Sequence, residues 1–116
     1  MKGTHLFKIQ IPGEVCTNGS REIIGRWRMT LDRVLTSISP PLLQSRRISV
    51  HIKFWISEKR LNKISGNDLD NLSKPILDSM KRIGMIKDDD QIYHLEATKF
   101  PTKGFEEIEL VIRDWN

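Results

Sequence analysis

Apolar and polar positions alternate from His5 to Ile11, with Phe7, Ile9 and Ile11 on one side and Leu6, Lys8 and Gln10 on the other. That period predicts a strand, stopped by Pro12-Gly13. Glu14 to Gly19 reads as loop. From Ser20, a suitable N-cap, the period changes: Ile23, Trp27, Leu31, Val34, Leu35 and Ile38 recur at helical spacing. Arg21, Arg26, Arg28 and Arg33 fall mostly off that stripe, so the segment predicts an amphipathic helix ending before Pro40-Pro41. Alternation is strongest from Ile48 to Ser57, where Ile48, Val50, Ile52, Phe54 and Ile56 share one face. Glu58 to Asn67 reads as a polar, basic loop. A second helix follows, with Leu72, Ile76, Met80 and Ile83 on one face and Gly84 placed to end it as a C′ glycine.

Gln91–Lys99 and Glu106–Asp114 predict two more strands, and the turn chemistry of Pro101-Thr102-Lys103-Gly104 between them predicts a hairpin. The expected fold is therefore α+β. One small domain over residues 1–116 carries β-α-β-α-β-β order, a mixed sheet, two helices and a C-terminal β-hairpin.

At 38% hydrophobic and 29% charged residues the composition is globular, and no apolar run is long enough for a membrane span. No apolar run follows the first lysine as a secretory signal requires, so the expected location is cytoplasmic. The single Cys16 excludes an internal disulfide and a cysteine-rich zinc site. His5, His51 and His94 have no ligand spacing and read as structural or surface residues.

Charge changes the picture more. The net charge is +4, but residues 1–67 hold 12 Lys/Arg against 4 Asp/Glu, and residues 68–116 hold 7 against 11. A basic half joined to an acidic half suits a phosphate-binding surface beside a metal site; uneven solvated charge is the plain alternative.

The acid is concentrated in Asp68-Leu69-Asp70-Asn71-Leu72-Ser73-Lys74 and in Asp88-Asp89-Asp90, on either side of the second helix. Pro75 clashes with the carbonyl four residues back, Asn71, so the helix is expected to begin near Asn71 or Leu72. Asp68 and Asp70 would then lie in an extended lead-in, with both side chains on one side. Neighbouring carboxylates repel unless a cation holds them, and oxygen donors suit Mg²⁺ or Mn²⁺. The competing reading is an Asp N-cap that complements the helix dipole, with Lys74 paired to Asp70 and Asp78 one turn away. The triple Asp is either a solvated turn or, if the next strand runs back along the helix, part of the same cleft. A calcium loop fails, because its sixth and twelfth positions are Ser73 and Ser79. There is no Gly-rich phosphate loop.

These residues resemble the RusA-type Holliday junction resolvases. The shared text is Asp68 to Lys74, Leu77-Asp78, Gly84, Asp88-Asp89 and Pro101 to Gly104, in matching order and spacing over roughly residues 48 to 112. The resemblance implies a small homodimeric endonuclease that needs Mg²⁺ and cuts two strands of a four-way DNA junction symmetrically. It implies Asp68, Asp70 and Asp89 as metal-binding carboxylates, Asp88 as a neighbouring candidate, and Lys74 as the catalytic lysine. On that reading Lys59, Arg60, Lys63, Arg26 and Arg28 carry non-scissile phosphates. The first 45 residues depart from the family. A Pro-Pro-Ser-x-Asn-x-x-Tyr-like segment is replaced here by Pro12-Gly13-Glu14-Val15-Cys16-Thr17-Asn18. The rival expectations are a nuclease of the same fold acting on other branched DNA, and a nucleic-acid-binding module without catalysis. Trp27, Trp55 and Trp115 are many large aromatics for so small a domain, which also points to a homodimer.

Overall fold

A computed structural model of the chain describes residues 5–13, 21–37, 43, 46–63 and 68–115. The expectations for Cys16, Ser20, Ile38 and Pro40-Pro41 lie outside the described residues. Strands β1 (His5–Pro12), β2 (Ile48–Ser57), β3 (Ile92–Thr102) and β4 (Glu107–Asp114) form one mixed sheet in the order β1-β4-β2-β3. Helices α1 (Arg21–Ser37), α2 (Glu58–Lys63) and α3 (Leu69–Arg82) complete the α+β domain, in the predicted order of strands and long helices.

The alternation of β2 becomes its burial: every second residue from Ile48 to Ile56 is fully buried. Register aligns Val50, Ile52 and Phe54 with Ile112, Leu110 and Ile108 of β4, and these with Phe7, Ile9 and Ile11 of β1. Trp27, Leu31 and Leu35 of α1 and Leu72, Ile76 and Met80 of α3 close over this face as the helical stripes predict. Gly84 ends α3 as expected. At φ +85° it forms a Schellman turn, with Gly84 N–H on the Lys81 carbonyl (3.1 Å) and Met85 N–H on the Met80 carbonyl (2.9 Å).

Three local expectations are corrected. First, β3 and β4 are not a hairpin: β2 lies between them, parallel to β3 and antiparallel to β4. The turn after β3 instead steps over the end of β2, where Glu106 pins it. The Glu106 carboxylate accepts the Ser57 N–H at 3.1 Å and pairs with Arg60, and its carbonyl accepts the Gly13 N–H at 3.0 Å. β2 and β4, the two strands with the most buried positions, take the inner places of the sheet. Second, the polar stretch after β2 starts with a helix, α2, because the Ser57 hydroxyl accepts the Arg60 N–H at 3.3 Å as an N-cap does. Residues 64–67 lie outside the described residues. Third, α3 starts at Leu69 rather than near Asn71 and runs through Pro75. Its first turn closes by Leu72 N–H on the Asp68 carbonyl at 3.1 Å. Burial of Leu72, together with the packing of Leu69, outweighs the one hydrogen bond that Pro75 forgoes.

Candidate active site

β3 is the edge strand next to β2, and the helix layer stops short of it. Leu95 and Ala97 are in register with Val50 and Ile52 on the helix-facing side, yet Leu95 remains 46% exposed. The uncovered strip between β3 and α3 is a trough of about 350 Å³, lined by Asp70, Ser73, Lys74, Leu77, Asp78 and Asp89 besides Leu95 and Ala97.

The lead-in to β3 sets Asp89 at this trough. Asp89–Gln91 form a single 3₁₀ turn, capped by Asp88, whose carboxylate accepts the Asp89 N–H at 2.8 Å. Gln91 is buried and ties the turn down. Its side-chain oxygen accepts the N–H groups of Lys87 (2.6 Å) and Asp88 (3.2 Å), and its amide donates to the Arg46 carbonyl (2.9 Å). Hydrogen bonding from Asp89, through side chain and backbone, holds the Asp88 carboxyl below its ordinary pKa, and Lys81 at 3.8 Å adds to this.

The trough thus brings together Asp70, Asp89 and Lys74 of the expected site. Asp68 is not among its lining residues. It is the N-cap of α3, and its carboxylate accepts the Asn71 amide at 2.7 Å. Asp78 enters the sequence reading as part of the shared text and as an ion-pair partner weighed for Lys74, not as a site residue; its spacing of eight from Asp70 and four from Lys74 puts all three on one helix face. Lys74 is exposed and makes no ion pair with Asp70, Asp78 or any other described residue, so the i±4 pairing weighed above is not formed. The Asp70 carboxylate likewise has no hydrogen-bonding partner among the described residues.

The carboxylates are spread along the trough. Eight helical residues from Asp70 to Asp78 span about 12 Å. Among the described residues no three acidic, histidine or cysteine side chains are grouped closely enough to hold one ion together. The donor chemistry nonetheless fits Mg²⁺, which binds through one or two carboxylates and keeps water and phosphate oxygens for its remaining positions. The Ser73 hydroxyl on the same wall is buried, with no hydrogen-bond partner among the described residues.

The basic residues divide. Arg60 is held in the part-buried pair with Glu106, and Arg26 pairs with Glu22 one turn back at 2.7 Å. Lys59 and Arg28 are exposed. The expectation for the Lys63 side chain lies outside what is described. His51 lies 3.2 Å from Glu96, and His94 hydrogen-bonds Ser49 at 3.0 Å, so both have structural contacts on the open face of the sheet.

The α+β domain thus presents acid-lined space along one helix with a lysine in its midst. The family model described as endodeoxyribonuclease RusA matches residues 24–113, and the chain belongs to that family. Its members are endonucleases that resolve Holliday junctions, so the chain's class is an endodeoxyribonuclease acting on branched DNA. Comparison with curated proteins finds no match. Among the described residues no helix is long and apolar enough to cross a membrane.

Proposed function

We propose that this chain is a Mg²⁺-dependent resolvase that cuts four-way DNA junctions by paired, symmetric phosphodiester hydrolysis as a homodimer. The observation that carries this reading is the trough itself, where carboxylates from α3 and from the start of β3 face a lysine without an ion pair. Asp70 and Asp89 hold the metal, with Asp78 along the same wall and Asp68 at the head of α3. Bound there, Mg²⁺ supplies an activated water and charge stabilisation for the leaving oxygen; Mn²⁺ has the same donor preference. Lys74 sits one helical turn from both Asp70 and Asp78 and neutralises charge that develops on the scissile phosphate. Leu77, Leu95 and Ala97 give the trough an apolar floor. A four-way junction has near-twofold symmetry, so a C2 dimer presents one trough to each of two strands.

The test is a synthetic four-way junction incubated with Mg²⁺ and with EDTA. The expected result is paired nicks at symmetric positions with Mg²⁺ and none with EDTA. Asp70→Asn should abolish cutting while leaving junction binding in EDTA intact or tighter, because an isosteric amide removes a charge that repels phosphate. Cleavage in EDTA, or full activity of Asp70→Asn, refutes the assignment.

A further inference from the structure

A second hollow, of about 170 Å³, opens between α1 and α3. It shares Lys74 and Asp78 with the acidic trough, and Trp27, Arg28, Asn71 and Pro75 form much of the remaining wall. We propose that this hollow is a DNA subsite that takes the phosphodiester next to the scissile one on the same strand, with its sugar against Trp27 and Pro75. The proposal rests on the nuclease reading of the trough and adds where the strand goes as it leaves it.

The first argument is charge. Arg28 is exposed and makes no hydrogen bond or ion pair with any described residue. One turn on, Asp32 is the acid it would pair with, but Arg82 occupies that carboxylate with two hydrogen bonds of 2.8 Å, and the Ser79 hydroxyl donates to it at 2.5 Å. Arg82 thereby takes both carboxylate oxygens, and Arg28 acts on Asp32 through its charge alone, without a hydrogen bond, whereas Arg26 on the same helix is paired with Glu22. Lys74 is the second available cation. Asp78 is the one anion of the lining, and its charge also acts on Arg82, one turn along α3. The hollow therefore has an excess of positive charge beside a trough with an excess of negative charge. A phosphate without a metal belongs in the former.

The second argument is continuity. Lys74 borders both spaces, so one ammonium group lies between two neighbouring phosphate positions. Successive phosphates of one strand advance by only about 3.4 Å along the duplex axis, a step that adjoining hollows can follow. The third argument is the wall. Trp27 is 6% exposed, and its indole N–H is buried without an acceptor among the described residues. Trp27 and Pro75 give the hollow a rigid apolar side against which a sugar can lie. The planar guanidinium of Arg28 suits two phosphate oxygens at once.

The experiment uses the full chain and junctions carrying one neutral methylphosphonate, placed on either side of the scissile phosphate. Binding is read in EDTA and cleavage in Mg²⁺. For the wild type, one of the two neighbouring positions should weaken binding about tenfold when neutral, as expected for loss of a charge-assisted contact. Arg28→Gln should weaken binding of the unmodified junction by a similar factor, with the loss carried by KM. It should lower the salt-dependence slope by about 0.9. In that variant the methylphosphonate should cost less than in wild type, the remainder being the share of Lys74. Arg33→Gln removes the same charge from the same helix outside the hollow and should leave the slope unchanged. If wild type cuts the junction but Arg28→Gln keeps its slope, or remains as sensitive to the neutral linkage as wild type, the subsite is wrong while the nuclease reading stands. If wild type does not cut in Mg²⁺, the nuclease reading itself fails.

Discussion

Replacing Asp32 by Asn and by Ala should give two distinct losses of stability, because its carboxylate does two separable things. It forms an ion pair with Arg82, joining α1 to α3, and it accepts the hydroxyl of Ser79. The paired side chains retain 30% and 40% of their exposure, so solvent screening limits the ion pair to about 1 kcal/mol or less. Ser79 is fully buried, and leaving its hydroxyl without an acceptor costs about 1–3 kcal/mol. Asn keeps an oxygen for Ser79 and should lose about 0.5–1 kcal/mol; Ala loses both contacts and should lose about 2–3 kcal/mol. At about 4 °C per kcal/mol, thermal melting at neutral pH separates the two. The pH dependence checks the cause. The Arg82 hydrogen bonds hold the Asp32 carboxyl below its ordinary value, so its contribution is complete above the unfolded pKa near 4 and is lost as pH falls through the lower folded pKa. The gap between wild type and Asp32→Asn should therefore be flat from pH 7 to about 5 and shrink only in acid. Equal losses for Asn and Ala, or a gap that closes above pH 5, refute this division.

Two further outcomes test parts of the scaffold. Gly84→Ala places a β-carbon at φ +85°, with nothing within 4 Å to clash, so the cost is conformational and should be about 1 kcal/mol in a urea melt. Gln91→Leu strips partners from the Lys87 and Asp88 N–H groups and from the Arg46 carbonyl; it should cost about 2–4 kcal/mol and, by loosening the turn that carries Asp89, raise the Mg²⁺ concentration needed for half-maximal cleavage.

The elements were legible where one face is buried. Ile48–Ser57 was read to the residue because every second side chain enters the core, and the α3 stripe because Leu72, Ile76 and Met80 do the same. Strand pairing was not legible. Turn chemistry at Pro101–Gly104 is as compatible with a crossing over β2 as with a hairpin, and what decides is Glu106 binding Ser57 and Arg60, residues some fifty positions away. The same contact accounts for Arg60, which looks in sequence like a DNA-facing cation and in the fold serves as an anchor. Asp70, Lys74 and Asp89 were legible as a motif. Asp78 was legible in the shared text and as an i+4 neighbour of Lys74, but its place in the trough was not, because that depends on where β3 lies. Gln91 was obscured because a lone glutamine looks like surface until its three backbone partners are known.

The charge imbalance along the chain acquires its meaning from the fold. The acidic second half supplies α3 and the turn before β3, and these bound a trough at the β3 edge of the sheet. The basic first half supplies α1, which packs against α3 on the side away from β3 and brings Arg28 to the far side of Lys74. A segregation by sequence becomes a segregation across a single helix, with acid on one flank, base on the other, and Lys74 at the boundary. Such a surface sets a direction for a polyanion. The phosphate that enters the acidic flank must bring or find a metal, while its neighbour needs none. On the proposed reading, the strand is thereby placed with one phosphate at the reactive position instead of sliding freely along a uniform patch.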